Sequence, residues 1–347
     1  VTMYASRVRA SLRGWGGVGA MAVLCVLALA FALLLPWTQP RQDDDGVRTG
    51  GPGVTSGSQA RAGDCEDSEA QKQTLSPSGA DGPTIDAIKA RTGAKRKLVV
   101  GVDQNSYHWG YRNPNTETAQ LEGFDIDLAH RIAEDILGDP DAVQFKAIPT
   151  SQRIPAIKDG RVDMVVRTMT ITCARLADVA FSAPYFKTGQ QVLAPKSSTV
   201  KGYDGTLAHK RVCTASGSTA YGKLKADRDA GDLPASTDIS ATVPNQLDCL
   251  VRLQLGEVDA VVTDGALAAS QAAQDPTVAL KGDAFTTEYY GVAMKKDATD
   301  LVRRVNRILV DYREDGWQAS YDRWLSATLG KDAGPSKPPA PQYLRKS

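Results

Sequence analysis

The sequence predicts an α/β fold built as two lobes, and three observations carry that expectation. The chain has 347 residues, more than one hydrophobic core normally organises. Short apolar runs of strand character alternate with stretches of helical periodicity, once from Leu98 to Arg175 and again from Arg211 to Asp264. The last strand of each alternation runs out into polar residues, Thr168-Met-Thr-Ile-Thr172 in the first and Thr263-Asp264 in the second. Repeated βα units give sheets covered by helices on both faces. Ligands of such sheets sit in the crevice beyond the carboxyl ends of the strands.

The elements follow in chain order. From Gly14 to Pro40 there is no charged residue, and Val18 to Trp37 is almost wholly apolar, long enough at helical rise to cross a bilayer core of about 30 Å. Arg7, Arg9 and Arg13 precede it and Asp43, Asp44 and Asp45 follow, which predicts a cytoplasmic tail over 1–13 and an anchor over 14–40. A cleaved signal peptide and lipidation compete with the anchor. The A-x-A candidate Ala28-Leu-Ala30 lies inside the apolar run, and Leu24 stands where a small residue should precede a lipidated Cys25. Residues 41–83, rich in Gly, Ser, Asp and Pro, read as a flexible tether. Residues 333–347, with Pro335, Pro338, Pro339 and Pro341, read as a Pro-rich tail outside the folded body.

In the folded part Leu98 to Val102 is a strand, and Asp125 caps a helix with Leu128, Ile132 and Ile136 on one face. Val143 to Ile148 is the next strand. Ser151 caps a helical turn that carries Arg153 and ends at Gly160. Val162 to Val166 is a strand that runs through the threonines into a helix near Cys173. The second half repeats the pattern: a strand at Arg211 to Cys213, a turn at Gly217 to Thr219 into a helix, and a strand at Ile239 to Val243. Asn245 then caps a helix with Leu247, Leu250, Val251 and Leu253, and Ala260 to Thr263 delivers Asp264. Tyr290 to Met294 is a strand, and Leu301, Val305, Ile308, Leu309 and Tyr312 mark a long amphipathic helix.

The chemistry concentrates around Arg153 and Arg175, which flank one short strand. Two guanidiniums and the hydroxyls of Thr168 and Thr170 converge on the crevice at its end. A guanidinium offers a planar fork of donors matched to a carboxylate, so this set suits a small molecule with two carboxylates. Each residue also has a plainer reading: Arg175 as a surface partner of Asp178, Arg153 as a solvated helix charge, Asp264 as a helix cap. The net charge of +1 gives no basic field for nucleic acid. The three histidines are scattered and no CxxC occurs, so no metal site and no cofactor are expected. Four cysteines lie outside the apolar segment, Cys65, Cys173, Cys213 and Cys249, enough for two disulfides in three connectivities. Cys213 and Cys249 fall in one lobe and are the favoured pair. Cys65 with Cys173 would then staple the tether to the rim of the crevice.

Leu98 to Gly330 resembles the extracytoplasmic solute-binding proteins, family 3, of polar amino-acid ABC transporters. The motifs are Gly123-Phe-Asp-Ile-Asp-Leu-Ala129, Thr168-Met-Thr-Ile-Thr-Cys-Ala-Arg175, Phe181-Ser-Ala-Pro-Tyr185, Ser216-Gly-Ser-Thr219 and Val258-Asp-Ala-Val-Val-Thr-Asp264. The likeness is strongest to glutamate/aspartate-binding members and to actinobacterial sensor-type proteins named glutamine-binding. It implies the type II periplasmic-binding-protein fold: lobe one over 97–190 plus 288–328, lobe two over 191–287, two hinge crossings and a ligand cleft between the lobes. It also implies roles. Arg175, with Thr170 and Thr219, would clamp an α-carboxylate; Asp264, with Thr168, would take the α-ammonium; Arg153 would hold a side-chain carboxylate. Tyr107 or Trp109 would pack over the ligand. Two positions depart from the pattern. Asp103 stands where acidic-ligand relatives place a second cation, and Arg167 replaces a small residue, either restoring that charge or pairing with Asp103. Glutamate, aspartate, asparagine and glutamine all remain open.

Three functions compete on this reading. One is capture of an acidic amino acid outside the cytoplasm for an ABC-type permease. Another is sensing of the same ligand for a membrane partner. The third is a dehydratase-type enzyme on the same fold, which would need a carboxylic acid free of opposing cations. The first is the expectation, with no catalysis.

Overall fold

The computed structural model describes residues 67–116, 120–331 and 334–344. The expected tail, the apolar segment and Cys65 lie outside the described residues, within which no helix is long and apolar enough to cross a membrane. Two five-stranded mixed sheets form the framework. The first runs in the order Val143–Ala147, Leu98–Val102, Met164–Val165, Ala293–Lys295, Val179–Phe181. Its first three strands are parallel, and Ala293–Lys295 is antiparallel to both neighbours. The second has the order Thr242–Val243, Val212–Ala215, Ala260–Asp264, Gln190–Pro195, Val278–Lys281. Again three strands are parallel, and Gln190–Pro195 is antiparallel to the strands beside it.

Alternation along the strands sends side chains to both faces, as the two-residue period of a strand requires. Val100 and Val102 enter the core shared with helices Phe124–Leu137 and Thr299–Asp315, while Val99 packs on the opposite face with Ile157 and Val165. In the second sheet Ala260 and Val262 join Leu224 of helix Thr219–Ala230, and Val261 faces Cys249 and Leu250 of helix Gln246–Gln254. Between the sheets the chain passes through Phe186–Thr188 and returns through Glu288–Tyr290, and these two strands pair antiparallel. Both sheets therefore connect through one short ribbon.

Several elements differ from expectation. The strands Val179–Phe181, Gln190–Pro195 and Val278–Lys281 carry too few residues of clear alternation to be read in advance. The expected strand at Tyr290 to Met294 is two, Glu288–Tyr290 in the ribbon and Ala293–Lys295 in the first sheet. Gly123, not Asp125, precedes helix Phe124–Leu137. Asp125 is instead buried in its first turn, where its carboxylate accepts from Thr168 N at 2.9 Å and from the Tyr185 hydroxyl at 2.8 Å.

Part of the expected tether and tail also belongs to the folded body. Strand Gln73–Leu75 pairs parallel with Gln342–Leu344. Thr74 Oγ1 donates to Phe181 O at 2.9 Å, and Asn306 Nδ2 donates to Leu75 O at 2.7 Å. Helix Pro83–Lys89 buries Ile85 and Ile88. The partners of these segments lie far away in sequence, so their polar composition alone reads as unfolded. Cys213 and Cys249 are joined by a disulfide across 36 positions. Cys173 is also disulfide-bonded.

Candidate functional site

The threonine segment leaves the first sheet under backbone constraint. Thr168 has φ 41, a left-handed conformation costly for a β-branched residue. The bond from its N–H to Asp125 holds that turn. It presents Thr168 and Thr170 to a narrow cleft that also takes in Arg153, Arg175, Thr219, Gln246, Thr263 and Asp264. Arg153 starts helix Arg153–Lys158, Arg175 lies in helix Cys173–Asp178, and Thr219 begins helix Thr219–Ala230. Asp264 ends its strand. Six residues expected from the sequence thus share one space.

The cleft is closed to about 10 Å³, room for about one water molecule. The guanidiniums accordingly donate to protein carbonyls. Arg153 Nε reaches Thr150 O at 2.9 Å and its Nη1 reaches Arg167 O at 3.2 Å. Arg175 Nη1 donates to Thr170 O at 2.6 Å and its Nη2 to Gly217 O at 3.2 Å, across the two lobes. Gly217 has φ 77, and a Cβ there would stand 2.9 Å from Ser151 Cα. Only glycine allows this approach.

Burial lowers the proton affinity of Arg153, aided by the neighbouring charges of Arg175 and Arg167. It also lowers that of Arg175, against the opposing pull of Glu288 and Asp264. Asp264 is pushed up to about 7 by burial and by the Glu288 charge, although Tyr290 donates to it at 2.6 Å.

Three expected ligand contacts are not brought to this cleft. Arg167 is fully buried and pairs with Asp103 at 2.9 Å. It also donates to Thr150 Oγ1 and to Asn245 Oδ1, each at 3.0 Å. The two departures from the family pattern therefore satisfy each other. Trp109 has no exposed surface and sits edge-on to Phe124, Phe186 and Tyr290 in the first core. Tyr107 stacks on His108 at 3.7 Å and lines a separate crevice with Leu247 and Leu267.

The structure adds one group that sequence reasoning missed. Glu288, in the ribbon between the sheets, is 4% exposed. Its carboxylate accepts from Thr170 Oγ1 at 2.5 Å, from Thr219 Oγ1 at 2.9 Å and from Gln190 Nε2. On its outer side lies a chamber of about 740 Å³, lined also by Asp67, Lys72, Thr172 and Lys223. The signal was its place in Thr286-Thr-Glu-Tyr-Tyr-Gly291 at a hinge crossing, where an acid has no obvious solvated face.

Residues 98–327 match the family of bacterial extracellular solute-binding proteins, family 3. The chain belongs to this family. It is 34% identical over 243 residues to the ABC transporter glutamine-binding protein GlnH of Bacillus subtilis, covering 70% of this chain and 84% of that protein. The glutamate-binding protein GluB of Corynebacterium glutamicum is 29% identical over 248 residues, covering 67% and 79%. Among solved structures, an ancestral arginine-binding protein bound to glutamine superposes with a TM-score of 0.59 at 32% identity, covering 69% of this chain and 100% of that one. The solute receptor for L-cysteine of Neisseria gonorrhoeae gives a TM-score of 0.65 at 25% identity, covering 74% and 99%. The solute-binding protein has their two-lobed type II fold.

Proposed function

We propose that this solute-binding protein captures an α-amino acid whose side chain ends in a carboxylate, glutamate or aspartate, and delivers it to an ABC-type permease outside the cytoplasm. The carrying observation is that Arg153, Arg175 and Asp264 line one cleft from two lobes. Arg175, the Thr170 and Thr219 hydroxyls and the free N–H groups opening helix Thr219–Ala230 offer a cradle for the α-carboxylate. Asp264 is the acceptor for the ammonium. Arg153 keeps Nη2 without a hydrogen bond among the described residues, and that nitrogen is the donor for the side-chain carboxylate.

Binding requires the lobes to part and close again, since a cleft of about 10 Å³ is too small for an amino acid. A ligand that touches both lobes stabilises closure because only the closed form makes all its contacts. Named relatives that bind glutamine and glutamate support the ligand class. Glutamine is the second reading, favoured by the acid Glu288 beside Arg175. Catalysis is not part of the proposal, because every acid of the cleft faces a guanidinium or is held by hydroxyls. A thermal-shift panel of amino acids tests it: a ligand at about 100 times its dissociation constant adds about 2.7 kcal/mol. A flat panel for glutamate, aspartate and their amides would overturn it.

A further inference from the structure

Glu288 is unusual for a buried carboxylate. Among the described residues no Lys or Arg nitrogen lies within ion-pair distance of it. Its three close partners, Thr170, Thr219 and Gln190, are neutral donors. A charge buried on neutral donors alone is costly unless an opposite charge stands near. Arg175 shares Thr170 with it: the Thr170 hydroxyl donates to Glu288 while the Thr170 carbonyl accepts from Arg175. Glu288 also strengthens the hold of Arg175 and of Asp264 on their protons.

The cleft and its wall therefore contain two guanidiniums, Arg153 and Arg175, and two carboxylates, Asp264 and Glu288. A zwitterionic amino acid with an amide side chain leaves that balance unchanged. One with a carboxylate side chain adds a negative charge that Arg153 attracts and Glu288 repels, in a closed, water-poor space. We infer that Glu288 is a specificity-determining residue that offsets one cleft arginine and thereby sets the ratio of acidic to amide amino acids bound. This rests on the amino-acid reading above and adds to it the group that tunes the side-chain charge.

The test is Glu288→Gln in the full chain. The substitution keeps the shape, and its hydrogen bonds can be met. The new amide oxygen takes the Thr170 and Thr219 hydroxyls. The new NH2 faces Gln190, whose Oε1 has no partner now and can turn to accept it. Calorimetric titration of wild type and variant with glutamate and glutamine reads the affinity ratio. The expected result is a rise of about tenfold in the glutamate-to-glutamine ratio, the scale of one screened unit charge inside a protein, with an unchanged melting midpoint. Equal loss for both ligands, or an unchanged ratio, would make Glu288 a structural hinge residue and overturn the inference. Wild type that binds neither would instead remove the amino-acid reading itself.

Discussion

In the proposed binding mode, replacing Arg153 with alanine should separate recognition of the side chain from recognition of the amino-acid backbone. In the closed cleft Arg153 donates to Thr150 O and to Arg167 O, so truncation leaves two buried carbonyls short of a donor. Each such loss costs about 1–3 kcal/mol. Removing a buried cation crowded by Arg175 and Arg167 returns part of that. The net destabilisation is expected at about 1–3 kcal/mol, a fall of a few degrees for a body of this size. Binding is more sensitive. A hydrogen bond to a charged group contributes about 1.5–3 kcal/mol, so glutamate affinity should fall about 10- to 150-fold. Glutamine, whose amide oxygen gains less from a guanidinium, should fall by about tenfold at most. The ratio moves opposite to that expected for Glu288→Gln. Titration calorimetry with both ligands, beside a melting curve for each protein, checks this. Equal losses for glutamate and glutamine would refute the assignment of Arg153 to the side chain.

Other outcomes follow from the same geometry. Arg167→Met strands the buried Asp103 carboxylate, so stability should drop by about 3–5 kcal/mol, while the glutamate-to-glutamine ratio stays that of wild type; chemical denaturation and titration together check both. Removing the Cys213–Cys249 disulfide as a double alanine variant frees a loop of 36 positions, which the chain-entropy treatment values at about 4 kcal/mol; a denaturant midpoint that does not move would contradict it. Asp125 is raised by burial to about 7 from an ordinary value of 3.8. Its contribution to stability is thus present below about pH 4 and is lost as pH rises through about 7, on the order of 4 kcal/mol over the window. Asp264 moves in the same direction. The unliganded protein should therefore melt higher at pH 5 than at pH 8, and Asp125→Asn should flatten that slope.

The sequence revealed the βα alternation because buried strands such as Leu98–Val102 and Ala260–Asp264 are apolar in nearly every position. Strand ends in an open sheet point to one crevice, which indicated Arg153, Arg175, Thr168 and Thr170, while the family resemblance indicated Thr219 and Asp264; all six line one cleft. The sequence could not tell a cleft arginine from a paired one. Arg167 lies one residue before Thr168, yet Asp103, 64 positions earlier, claims it. Trp109 and Tyr107 failed for a related reason: an aromatic near a strand end fits a core or a ligand face equally, and Trp109 went to the core. Glu288 stayed hidden because its partners come from three separate segments, Thr170, Gln190 and Thr219. The pairing of Gln73–Leu75 with Gln342–Leu344 was invisible because neither three-residue strand has a pattern of its own.

In the proposed binding mode one α-amino acid, held between Arg175 on one lobe and Asp264 on the other, keeps the lobes closed. Small-angle X-ray scattering of the protein with and without saturating L-glutamate tests it most directly, with Arg175→Ala measured in parallel. Compaction of wild type on adding glutamate, and none in Arg175→Ala, is the predicted result. Identical curves for wild type with and without ligand would rule out closure on glutamate, and equal compaction in the variant would rule out Arg175 as its clamp.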